Sequence, residues 1–136
     1  MDSFGLLRIS DRLHIPVYDF ETGNKKAFCT DSAIAINFRH LDSERECKKI
    51  LAEELGHILR GALYPLSYCG DRLRRLNIEK AERTAKNCAI RLYIPLNELK
   101  TAIENSSDDY EIAEKLDVDI SELADAFEYY KTKGLL

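Results

Sequence analysis

The stretch Ile50-Leu51-Ala52-Glu53-Glu54-Leu55-Gly56-His57 sets a helical apolar rhythm against three ionisable side chains, and the reading of the fold starts there. Upstream, Asp42 and Ser43 offer caps, and Glu44 and Glu46 suit the positive end of a helix. The pattern predicts a helix from Ser43 to Arg60, ended by Gly61. At about 100° per residue, Cys47, Ile50, Leu51 and Ile58 share one apolar sector, and Glu54 falls inside it. A carboxylate placed there must be hydrogen-bonded, neutralised or near a cation, because burying it bare costs several kcal/mol. Glu53 and His57, four apart, stack along one edge of the same sector.

A second helix is predicted from Ile78 to Tyr93, stopping short of Pro95 because the residue before a proline is biased away from helical geometry. Its apolar face comprises Ile78, Ala81, Ala85, Cys88, Ala89 and Leu92, with Glu82 at the margin. If the two faces pack together, Glu53, His57 and Glu82 converge and Glu54 points at the same place. Three ligands with an open position are what a catalytic metal requires. Each residue alone has a plainer account. Glu53 can be a solvated or salt-bridged acid, His57 can suit the negative end of its helix, and Glu82 can pair with Arg83 or Arg91. Spacing alone leaves both readings open.

Around this centre the chain reads as one α+β domain of 136 residues. Residues 1–41 form a helix and a small antiparallel sheet, 42–95 the two site helices, and 96–136 further helices. Asp2 and Ser3 cap a first helix with apolar positions Leu6, Leu7, Ile9 and Leu13. Strands are expected over Ile15 to Phe20, Ala27 to Thr30 and Ser32 to Asn37, with a turn at Glu21-Thr22-Gly23-Asn24. Ala62 to Leu76, with Pro65, Gly70 and the basic residues Arg72, Arg74 and Arg75, reads as a loop with some helical content. Short helices follow over Leu96 to Glu104, Asp109 to Leu116 and Ser121 to Tyr130, the last two as a helical hairpin.

Charge is segregated. From Asp108 to Glu128 nine acids face a single base, Lys115, so this segment is -8 while the whole chain is -4. Such a segment repels phosphates, which argues against direct nucleic-acid binding and for a structural hairpin, with protein docking as the sharper alternative. No apolar run approaches the ~18 residues of a membrane helix, so the expected location is the cytoplasm without membrane attachment. Cys29, Cys47, Cys69 and Cys88 lack CxxC spacing and read as reduced, packed thiols. His14 and His40 read as surface residues.

The order of these pieces resembles the ImmA/IrrE family of HExxH metallopeptidases, associated with phages and mobile elements. The likeness runs over nearly the whole chain. It rests on Ala33-Ile34-Ala35-Ile36-Asn37 ending a small sheet, on Ile50 to His57, and on Glu82-Arg83-Thr84-Ala85 leading to Leu92-Tyr93-Ile94-Pro95. The resemblance implies a zincin-like two-helix metal site for Zn2+, with another divalent ion such as Mn2+ as an alternative. His57 and Glu82 would be ligands, and Glu54 the general base that activates a metal-bound water. It implies hydrolysis of a protein substrate, a helix-turn-helix repressor-like regulator. The alternative is a catalytically silent relative that only binds such a regulator. One departure stands out: where the family has its first histidine, this chain has Glu53. Carboxylate oxygen ligates zinc too, but two carboxylates and one imidazole neutralise a divalent ion and leave its water less acidic.

Overall fold

The structure, a computed structural model, describes residues 1–21, 25–59 and 71–136, without the side chains of 71–78. Helix α1 (Ser3–Arg12) is capped by the Asp2 side chain, which accepts from the Gly5 amide at 2.8 Å. It buries Leu6 fully but leaves Leu13, at its C-cap, on the surface. Three short strands follow: β1 (Val17–Asp19), β2 (Ala27–Cys29) and β3 (Ile34–Ile36). A turn of 3-10 helix (Phe38–His40) leads into α2 (Glu44–Leu59). Then come α3 (Asp71–Tyr93), α4 (Leu96–Glu104), α5 (Asp109–Leu116) and α6 (Ile120–Thr132).

The architecture is α+β as expected, but the sheet is mixed and not antiparallel. Its order is β1-β3-β2, with β2 antiparallel to β3 and β1 parallel to it. The central place goes to the strand with the strongest apolar alternation. Ile34 and Ile36 are both fully buried, whereas the outward positions Tyr18 and Phe28 flank Ala35 in register. Burying β3 on both edges satisfies its backbone, and the flanking strands keep their exposed aromatic side chains on the outer face.

Helix α3 begins earlier than the expected Ile78, at Asp71, so the helical content expected within 62–76 includes all of 71–76. Arginine is a good helix former, and the run of arginines gives no breaker once Gly70 is passed. The expected end of α2 at Gly61 and the segment 62–70 lie outside the described residues.

The charge segregation has a structural outcome. Helix α5 ends at Asp117 in the left-handed conformation (φ 53°), and α6 starts with a capping box between Asp119 and Glu122. The basic residues of α2 reach into this turn. Arg45 pairs with Asp117 and Asp119 at 3.1 and 3.0 Å, and Lys49 with Glu122 at 3.2 Å. Lys48 is buried, and its ammonium donates to the Leu116 carbonyl at 2.7 Å, satisfying an acceptor at the end of α5. Burial pushes the Lys48 pKa below the usual lysine range, opposed by Asp117 and Glu122. The tail is thus a structural hairpin whose Leu123, Ala126 and Val118 complete the core. Lys48→Met keeps the apolar stem but orphans the Leu116 carbonyl. It is expected to lower unfolding free energy by about 1–3 kcal/mol in urea titration. An unchanged midpoint would show that the bond contributes nothing net.

Candidate metal centre

The face that α2 turns to the core matches the expected apolar sector only at Leu51. Lys48, Leu51, Ala52, Leu55 and Gly56 are buried, while Cys47, Ile50 and Ile58 are only half-buried. Small residues decided this. A β-carbon on Gly56 would lie 2.5 Å from the Ala85 carbonyl oxygen and 3.3 Å from the Ala89 amide nitrogen, so α3 lies directly against α2 at this point. On α3, Ala85, Cys88 and Ala89 are buried as expected, joined by Ile90 and Tyr93. Ala81 and Leu92 are half-buried, and the Ile78 side chain lies outside the described residues.

This close approach carries His57 and Glu82 to opposite lips of one cleft. His57 Nε2 stands 3.8 Å from Glu82 Oε2. Two ligands of a tetrahedral zinc ion at about 2.0–2.1 Å stand roughly 3.3 Å from each other. The observed separation therefore needs only a small inward movement to suit a shared cation. The cleft, about 360 Å³, is lined by Glu53, His57, Glu82, Arg83, Ala85 and Lys86. All three expected ligands therefore share one cavity, and their nitrogen and oxygen donors suit a divalent ion. As placed, they do not surround one point. Among the described residues, no three His, Cys, Asp or Glu side chains are grouped to hold a metal ion.

Glu53 has two neighbourhoods, since it also lines a larger cavity of about 740 Å³ bounded by Lys49, Asp117, Asp119 and Glu122. Burial is the main reason its carboxyl pKa is raised. Lys49 and His57 oppose that shift, and Glu54 and Glu122 add to it. Glu54 is half-buried and does not line the cleft between α2 and α3. The Cys29 thiol of strand β2 is its neighbour. Burial first, then the neighbouring Glu54 carboxylate, pushes the Cys29 pKa up to about 12, so the thiol stays protonated at neutral pH.

Cys29, Cys47 and Cys88 are free thiols, and Cys88 is buried, while Cys69 lies outside the described residues. His14 and His40 are exposed, as expected of surface residues. Three participants were not anticipated: Lys49, Lys86 and Cys29. Lys49 precedes Glu53 by one helical turn and Lys86 follows Glu82 by one, so the spacing that paired Glu53 with His57 contained them too. Cys29 had no such signal, because its proximity to Glu54 depends on how the sheet lies on α2.

A small sheet beside two closely packed helices, with a Glu-Glu-x-x-His run facing an acid on the second helix, has the make-up of a metallopeptidase domain. The chain belongs to the IrrE N-terminal-like domain family of peptidases, whose model matches residues 10–128. Membership implies a divalent metal. No curated protein and no solved structure matches the chain. Among the described residues no helix is long and apolar enough to cross a membrane.

Proposed function

We propose that the chain is a metal-dependent endopeptidase, acting in the cytoplasm of a cell that hosts a phage or mobile element. In this reading His57, Glu82 and Glu53 hold Zn2+, with Mn2+ as the alternative ion. The observation that carries it is the 3.8 Å approach of His57 to Glu82 across the α2 and α3 contact, in a cleft that Glu53 also lines. When bound there, a divalent ion supplies Lewis acidity, polarising a scissile carbonyl and lowering the pKa of water. The rest falls to the chain. Glu54 does not line the cleft as placed, so its side chain would turn from strand β2 toward the ion, where a carboxylate oxygen takes the proton of the attacking water and passes it to the leaving amine nitrogen. The proposed substrate is a helix-turn-helix repressor-like regulator, which follows from the resemblance to ImmA/IrrE peptidases.

A second reading has its own support. Glu53 stands in the place of a histidine, Arg83 and Lys86 line the cleft as competing cations, and the three ligands are not grouped. These features suit a silent relative that binds the regulator without cutting it. Zinc and manganese titration of the purified protein separates the two. The peptidase reading expects one ion per chain, lost in His57→Ala. It also expects tighter zinc binding in Glu53→His, by about tenfold or more, since imidazole suits zinc and its donor count is kept. A protein that takes up neither ion, with or without that replacement, would be the silent relative.

A further inference from the structure

The acidic segment carries a groove that is separate from the cleft and has a core residue as its floor. Its acids divide into two sets. Asp117 and Asp119 are taken by Arg45, Glu122 by Lys49, Asp125 by Lys86 and Glu111 by Lys115, and Asp108 caps α5. Among the described residues Asp109, Glu114 and Glu128 have no ion pair. Two of these three, Asp109 and Glu128, border a groove of about 490 Å³ on the outside of the hairpin. Its apolar lining is Ile120, Leu123, Ala124 and Phe127. Leu123 is the buried floor, whereas Ile120 is 43% exposed.

We propose that this groove docks a basic amphipathic helix of a protein partner. The lining residues recur at i, i+3, i+4 and i+7 along α6, a stripe of about 10 Å at 1.5 Å per residue. That is the length and spacing of two apolar turns on a partner helix packing ridges into grooves. The unpaired carboxylates at its border select lysine or arginine beside those turns. The groove already holds such a cation from its own chain, for the Lys131 ammonium lies 5.6 Å from the centre of the Phe127 ring. The groove shares no lining residue with the cleft between α2 and α3, so the inference stands whether or not the cleft hydrolyses anything.

The test uses the full chain and a synthetic helix of roughly 14 residues, with leucine at i, i+3, i+4 and i+7 and lysine elsewhere, beside its glutamate-for-lysine counterpart. Fluorescence anisotropy is expected to show binding of the basic helix only, with amide shift changes centred on Ile120, Ala124 and Phe127. Ile120→Ala and Glu128→Gln are each expected to weaken binding by about five- to tenfold, while Glu114→Gln leaves it unchanged. Circular dichroism checks that the variants fold; all three positions are exposed. The proposal is overturned if neither helix binds, if both bind alike, or if Glu114→Gln weakens binding as much as Glu128→Gln. It is equally overturned if the parent chain sediments as a dimer that Ile120→Ala disperses, since the occupant would then be a second copy.

Discussion

Glu54→Gln is expected to keep the metal affinity of the parent chain and lose peptide hydrolysis by about 10²- to 10⁴-fold, the usual contribution of a positioned general base. The prediction separates two roles that neighbouring acids share. Glu53 lines the cleft with His57 and Glu82, whereas Glu54 faces strand β2 and the Cys29 thiol. A ligand variant should lose metal and activity together, while a base variant should lose only activity. The amide replacing the carboxylate is close in size, so neither the fold nor the helix contact should change. Turnover of a denatured-protein mixture in excess zinc, read by mass spectrometry, measures the loss. A parallel readout needs no substrate: Cys29 loses a neighbouring negative charge, so its pKa should fall from about 12 and its alkylation rate at pH 8 should rise. The rise should be partial, because burial is the larger cause of the shift. Hydrolysis that survives Glu54→Gln would remove this residue from the chemistry.

Gly56→Ala is expected to destabilise the fold by about 1–3 kcal/mol, the range for overpacking a well-filled contact. Two effects oppose each other. Alanine in a helix interior is favoured over glycine by about 0.8–1.0 kcal/mol, which alone would stabilise α2. Against it stands a β-carbon 2.5 Å from the Ala85 carbonyl oxygen, an atom of the backbone of α3 that no rotamer change can move. The helices must therefore part by several tenths of an ångström or more. The same movement widens the 3.8 Å gap between His57 and Glu82, so weaker metal binding should accompany the lower stability. Urea unfolding of the metal-free protein measures the first effect and zinc titration the second. A variant as stable as the parent would mean that α2 and α3 slide apart without loss, and the close contact would have no bearing on the site.

Much of the candidate site was legible because its residues are local. Glu53, Glu54 and His57 lie within a turn and a half of one helix, and helical geometry places them without knowledge of the rest. Glu82 was placed by its position beside an alanine-rich face, and that face does meet α2. The buried face of α2 was judged in part: of Cys47, Ile50, Leu51 and Ile58, chosen by apolarity, only Leu51 is fully buried. Packing instead chose Ala52 and Gly56, where two backbones can approach. The sheet failed differently. Local patterning marks strands but carries no information on which neighbours they take, so the parallel pairing of β1 with β3 could not be read from hairpin-like spacing.

By itself the sequence determined the α+β composition, the helices with their caps, the family, and the set of side chains offered for a site, because each is written in short-range periodicity or a contiguous motif. Only the tertiary structure decided the rest. It set the order of the sheet, the arrangement in which Glu53 lines the cleft without closing on a common point with His57 and Glu82, the nearness of Cys29 to Glu54, and the folding of the acidic tail onto Arg45, Lys48 and Lys49. These depend on distances between residues far apart in the chain. Such distances are settled by how closely backbones pack and which charges meet, and Gly56 against Ala85 is the contact that brings the two halves of the site together.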